Sequence, residues 1–140
     1  RTTTGTEYII SKEDADNDGW RIMFDSANHI VCSEDNTDVT STLTITDTNW
    51  HHVGCVISRA GNGQIYIDGS ANGTAIAMGS DAMATTSNIR IGTRSYTSTS
   101  YFNGLIDDIQ VYNYSLTSVQ VKNIYNQNAA IRFGPSAGSP

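Results

Sequence analysis

The chain has 140 residues, with 14 acidic against 8 basic side chains and a formal net charge of −6. That length suits one domain with a sizeable core. The acidic balance, without a basic cluster, excludes nucleic acid as a partner and disfavours anionic membrane surfaces, because both depend on cationic side chains. No run of about 18 apolar residues occurs, so membrane insertion through a helix is not expected.

Threonine, serine, asparagine and glycine are abundant and lysine is confined to Lys12 and Lys122, a mixture suited to strands with one wet face joined by turns. In chain order, Glu7 to Ser11 and Trp20 to Phe24 read as strands, with Lys12 to Gly19 as the loop between them. Asp25 to Asn28 turns into a strand from His29 to Cys32, Glu34 to Thr40 reads as a polar loop, and Ser41 to Ile45 resumes alternation. Trp50 to Ile57 and Gln64 to Asp68 form a hairpin around Arg59-Ala60-Gly61-Asn62-Gly63, whose residues tolerate positive φ. Asp68-Gly69 turns the chain again.

Thr74 to Ala77 is a further short strand, Gly79 to Ser87 a loop, Asn88 to Gly92 a strand and Thr93 to Ser100 a second loop. Phe102 to Tyr112 is expected to be the last long strand, with Leu105, Asp107, Ile109 and Val111 on one face. About nine short strands separated by turns point to an all-β antiparallel sandwich or barrel. One short C-terminal helix is predicted over Ser115 to Tyr125, with Ser115 or Thr117 as its N-cap. Residues 1–127 then form the domain, and 128–140 a tail or linker in which Ile131 to Phe133 has strand character.

Two cysteines, Cys32 and Cys55, lie in different expected strands. They form one disulfide if those strands are neighbours, which fits an extracellular domain; the alternative is a pair of buried thiols.

Four blocks in order carry a resemblance: Trp50-His51-His52-Val53; Tyr66-Ile67-Asp68-Gly69; the run Phe102-Asn103-Gly104-Leu105-Ile106-Asp107-Asp108-Ile109-Gln110-Val111-Tyr112-Asn113; and the helix opened by Leu116. From about Tyr8 to Asn126 the chain resembles the LamG-like jelly roll, the laminin G type of the concanavalin A-like lectin/glucanase superfamily. The resemblance implies a jelly-roll β-sandwich in an extracellular or cell-surface protein. It also implies two or more strands ahead of Tyr8, where only Arg1 to Thr6 stand. The expectation is therefore a chain whose first strands are supplied by an upstream segment or by a neighbouring subunit.

Asp14-Ala15-Asp16-Asn17-Asp18-Gly19 resembles the opening of a calcium loop, with alternating carboxylates before a glycine. Asp25 stands at the twelfth position, but the intervening strand keeps it from folding back. Asp14, Asp16 and Asp18 are the candidate calcium ligands, against the reading of a solvated turn. By resemblance Asp107 joins them, since superfamily relatives bind a structural calcium through an aspartate on this strand. His51 and His52, adjacent in a strand, face opposite sides and do not converge on one ion.

Catalysis is not expected. Superfamily glucanases carry two close carboxylates in an E-x-D-x-E pattern, and the three glutamates here, Glu7, Glu13 and Glu34, are not so arranged. Tyr96, Tyr101 and Asn103 are the candidate ligand residues, an aromatic and amide platform for a surface glycan or protein, against the reading of a plain surface loop. Asn72-Gly73-Thr74 and Asn113-Tyr114-Ser115 match N-glycosylation acceptors. The leading functional expectation is a non-catalytic extracellular module for adhesion, recognition or assembly of a surface protein or appendage, a filament subunit included. The rival is a calcium-assisted carbohydrate-binding lectin module.

Overall fold

The computed structural model describes residues 5–59, 61–79 and 85–128. Among them the chain forms β1 (Glu7–Glu13), β2 (Gly19–Phe24), β3 (His29–Glu34), β4 (Thr37–Thr44), β5 (Val53–Ile57), β6 (Asn62–Ile67), β7 (Ser70–Ala77), β8 (Arg90–Ile91) and α1 (Ser118–Asn128). The strands make two sheets, ordered β4-β3-β2-β1-β8 and β5-β6-β7, and every ladder is antiparallel. This is the all-β sandwich with one short helix that the turn spacing predicts. The expected strand at Ile131 to Phe133 and part of the loop at Gly79 to Ser87 lie outside the described residues.

Two strands start earlier than expected, for the same reason. Asp35 and Asn36 adopt positive φ (43° and 65°) and join Glu34 to Thr37 directly, the mirror-image two-residue turn whose twist matches that of the strands. The polar stretch read as a loop is therefore mostly β4. Asp68 and Gly69 (51° and 73°) repeat the device between Ile67 and Ser70, so β7 begins at Ser70 rather than Thr74.

The core lies between the sheets. Ile30, Cys32, Val39 and Ile65 are fully buried, with Phe24, Ile45, Ile67 and Met78 packed around them. Each large aliphatic of this set contributes about 1.5–3 kcal/mol by leaving water. β4 lies over β7 and β6, and β3 over β6. The Cys32–Cys55 disulfide crosses the sandwich from β3 to β5, with the Cα atoms 6.0 Å apart.

One side of the sandwich is closed. The Asn72 Oδ1 accepts the backbone N–H groups of Thr42 and Leu43 at 2.9 and 3.0 Å, tying β7 to β4. Gly73, at φ 78°, brings its backbone against the Thr40 carbonyl, an approach that a side chain would block.

The other side is open, and here the structure corrects the sequence reading. Among the described residues, Phe102 to Tyr112 joins no ladder. Asp108 has φ 51° and donates its N–H to the Asp107 carboxylate at 2.9 Å, a local turn that interrupts extended geometry. Leu105 and Val111 are 78% and 63% exposed. The apolar alternation in this segment states a demand for burial, and the described strands do not meet it.

α1 begins where Thr117 and Gln120 form a reciprocal cap: the Thr117 Oγ1 accepts the Gln120 N–H and the Gln120 Oε1 accepts the Thr117 N–H. The helix covers the outer face of the three-stranded sheet. Val121 packs on Gly54 and Tyr125 on Gly69, positions where a missing Cβ lets the helix approach.

Candidate functional site

The open side forms a groove of about 1250 Å³. Its floor is the inner face of the five-stranded sheet, including Ile9, Ile22 and Phe24; β5 is one wall, the strap 102–116 the other, and Val121, Ile124 and Tyr125 of α1 overhang it. Phe102 anchors the start of the strap by stacking on Phe24 (centroids 6.1 Å apart, 28° between planes), and its N–H donates to the Gly92 carbonyl. The Ser115 hydroxyl anchors the far end by donating to the Ile57 carbonyl at 2.9 Å.

The β5 register decides which backbone groups face the groove. Asp68 N–H donates to the His52 carbonyl and Ser58 N–H to the Asn62 carbonyl, while Val53 stands opposite Ile67 and Ile57 opposite Gly63. In an antiparallel ladder hydrogen-bonded positions alternate. Gly54 and Val56 therefore bond to β6, whereas Val53, Cys55 and Ile57 aim N–H and C=O outward. Between Leu105 and Val111, among the described residues, the strap's backbone makes one local bond, from the Asp108 N–H to the Asp107 carboxylate.

Charges punctuate the rim. His51 sits between two carboxylates, Nδ1 at 2.8 Å from Asp68 and Nε2 at 3.1 Å from Asp47. The Asp68 bond foremost, aided by Asp47 against partial burial, raises its pKa above the ordinary histidine value. His52 goes the other way: burial beside Tyr125 lowers its pKa, and its buried Nδ1 has no hydrogen-bond partner among the described residues. Adjacent histidines are thus held in opposite protonation preferences.

A second polar cluster lies on the outer face of the five-stranded sheet. The Glu13 carboxylate is fully buried and pairs with Arg21 at 2.8 Å and Arg94 at 2.7 Å. Arg94 also donates to the Asn17 side chain at 2.6 Å and lies over the rings of Tyr8 and Tyr96. Burial, then the Glu13 charge, pushes the Tyr8 hydroxyl up to about 12. The Ser95 hydroxyl accepts the Glu13 N–H and donates to the Glu13 carbonyl, so the loop Thr93 to Ser100 is pinned to β1. Glu34 is the second buried acid among the described residues, 3.6 Å from the Arg59 Nε, and burial raises its pKa.

The candidate residues from the sequence are spread out. Asp14, Asp16 and Asp18 occupy the β1–β2 turn, where the Asp14 Oδ1 accepts the N–H groups of Asp16 and Asp18. Desolvation, then the charges of Asp14, Asp35 and Asp16, raises the Asp18 pKa. Asp107 lines the groove, away from that turn in the fold. Among the described residues no three His, Cys, Asp or Glu side chains converge in a metal-binding arrangement. Tyr96 sits on the pinned loop under Arg94, Tyr101 is 66% exposed where that loop ends, and Asn103, on the groove rim, donates its N–H to the Glu7 carboxylate at 2.9 Å. The Glu13–Arg21–Arg94 cluster and the His51 clamp escaped the sequence reading, since each needs a partner brought in by the fold, Arg94 from 81 positions away and Asp68 from 17.

Comparison with known proteins agrees with this architecture. The family model for the concanavalin A-like lectin/glucanases superfamily, laminin G type, matches residues 1–122. No curated protein matches the chain. A crystal structure of an S-layer domain-containing protein from Clostridium thermocellum ATCC 27405 is similar in fold, with a TM-score of 0.51 and 24% identity; the match covers 88% of this chain and 64% of that one. The chain thus spans less than two thirds of the length of that structure. The matched model, the two antiparallel sheets and the terminal helix together make this chain a member of the laminin G-type branch of the concanavalin A-like lectin/glucanases superfamily.

Proposed function

We propose that this chain is a non-catalytic extracellular module that serves adhesion, recognition or assembly of a surface protein or appendage. The observation that carries this reading is the open groove beside β5, an apolar trough with outward-facing backbone that invites completion by a neighbouring chain or an upstream segment. The disulfide supports an oxidising, extracellular setting. The likeness to an S-layer domain-containing protein is compatible with a surface location. The glutamates support a non-catalytic role: Glu13 is held by two arginines, Glu34 is buried beside Arg59, and Glu7 accepts the Asn103 N–H.

Two measurements test the reading together. Size-exclusion chromatography with light scattering, on the chain alone and with extracts of the source cell surface, is expected to show assembly with a surface component. A glycan array read with and without chelator is expected to give no calcium-dependent binding. Chelator-sensitive glycan binding through Tyr96, Tyr101 and Asn103, without assembly, overturns the reading in favour of a lectin. Turnover on a polysaccharide panel overturns the non-catalytic assignment.

A further inference from the structure

We infer that Asn103-Gly104, at the start of the strap, is a self-modification site, where backbone attack on the carboxamide converts Asn103 into an aspartyl or isoaspartyl residue. The reaction needs no ligand or partner and is independent of the assembly reading above.

The sequence holds three Asn-Gly pairs, Asn62-Gly63, Asn72-Gly73 and Asn103-Gly104. In each, the glycine brings no Cβ to shield its amide nitrogen from the preceding side chain. Reaction then depends on whether the fold lets that nitrogen reach the asparagine Cγ in an attacking geometry. Two of the pairs are locked. Gly63 is buried in the central strand β6, opposite Ile57 on one side and Ile76 on the other. At Asn72 the Oδ1 holds the Thr42 and Leu43 N–H groups, the carbonyl accepts the Gln64 amide at 3.0 Å, and Gly73 lies against the Thr40 carbonyl.

The third pair is open. Asn103 and Gly104 are both exposed and belong to no helix or strand. Among the described residues neither the Asn103 carboxamide nor the Gly104 N–H makes a hydrogen bond. Packing nevertheless fixes the glycine: a Cβ at 104 would stand 2.8 Å from the Phe102 ring, which is stacked on Phe24. The stacking that anchors the strap thus requires the residue that leaves its own amide unshielded.

The step balances with water alone. Solvent base removes the Gly104 amide proton, and the nitrogen attacks the Asn103 Cγ. A bond forms between them, the Cγ–Nδ2 bond breaks, and the side-chain nitrogen leaves as ammonia. Water opens the cyclic imide at Cγ to give aspartate, or at the Asn103 main-chain carbonyl to give isoaspartate. Either product adds a negative charge beside Glu7, whose carboxylate accepts the Asn103 N–H at 2.9 Å. The isoaspartyl product also inserts a methylene into the backbone between the Phe102 anchor and the rest of the strap.

The test incubates the whole 140-residue chain, disulfide intact, at mildly alkaline pH, beside the same chain reduced and unfolded in guanidinium chloride. Incubation runs until the unfolded chain has largely converted. Peptide mapping by mass spectrometry reads each asparagine, and electron-transfer fragmentation separates aspartate from isoaspartate. In the folded chain Asn103 should convert at least about tenfold faster than Asn62 or Asn72, because those two must wait for local opening. In the unfolded chain the three rates should agree within about threefold, since all three pairs are then equally mobile. Asn103→Gln should abolish the main charge variant seen by anion exchange and leave the melting temperature unchanged. Conversion of Asn62 or Asn72 as fast as Asn103 in the folded chain overturns the inference, as does an Asn103 still unmodified at the end. A preference for Asn103 that persists in full on unfolding overturns it too, because the fold then plays no part.

Discussion

Replacing Glu13 by glutamine should destabilise the domain more than almost any other change of a polar residue. Glutamine keeps the volume and removes the charge. In the native fold the carboxylate is fully buried, with the Arg21 Nη1 at 2.8 Å and the Arg94 Nε at 2.7 Å. Arg21 is itself only 9% exposed and has one other acidic partner, Asp38, at 3.4 Å. At an effective dielectric of about 20, each contact is worth about 4 kcal/mol of Coulomb attraction, against which desolvation is already set. Losing the carboxylate leaves that desolvation uncompensated, and breaking a buried pair in this way costs about 3–5 kcal/mol. For a domain of this size the melting temperature should fall by about 10–20 °C. The assay is thermal unfolding by circular dichroism at neutral pH with the disulfide intact, repeated for Arg94→Gln and for the double variant. The two single losses should fail to add by at least 1 kcal/mol, because they break one network. A loss below about 1 kcal/mol for Glu13→Gln, or additivity within about 0.5 kcal/mol, would refute the network.

Other expectations follow from the same geometry. Replacing both cysteines by alanine opens a loop closed across 23 positions and should cost about 3 kcal/mol, read from denaturant midpoints of oxidised parent and variant. Gly73→Ala forces a side chain into positive φ against the Thr40 carbonyl and should cost about 2–4 kcal/mol, with the largest loss of exchange protection along the β4–β7 contact. The histidines should shape stability against pH with opposite slopes. His51 has a raised pKa, so its contribution is complete below about 6.5 and is lost as pH rises through the folded value. His52 has a lowered pKa, so its contribution is complete above about 6.5 and is lost as pH falls through the folded value. Melting temperature across pH 5 to 8 should show His51→Gln flattening the alkaline side and His52→Gln the acid side; the reverse pattern rejects both assignments.

Particular residues show where sequence reasoning reached and where it stopped. Short apolar runs at Tyr8-Ile9-Ile10 and Trp20 to Phe24 placed two strands, and Ile65 and Ile67 alternating with Gln64, Tyr66 and Asp68 placed a third. The tight turns at Asp35-Asn36 and Asp68-Gly69 shortened loops that composition made look long. Phe102 to Tyr112 alternates in its apolar residues yet joins no ladder among the described residues, since periodicity reports what a segment requires and not what pairs with it. Cys32 and Cys55 were legible as a possible pair, but not as a link between opposite sheets. The groove was not legible, because its walls, β5 and the strap 102–116, are brought together only by the fold. Glu13 reads as part of the loop from Lys12 to Gly19; its arginine partners, one of them 81 positions away, reveal its role.

The bridge from β3 to β5 has a mechanical consequence. Among the described strands β5 lies at the edge of its sheet, so a load pulling along it would pass into the domain through its five-residue ladder to β6. Cys55 provides a covalent shunt from the middle of that strand to Cys32, which is flanked by Ile22 and Val39 on neighbouring strands of the larger sheet. Tension entering at the rim is thereby distributed over ladders on both sides of β3 and no longer concentrated on one. Under reducing conditions the same tension would fall on the β5–β6 ladder, whose rupture would free β5 from the sandwich.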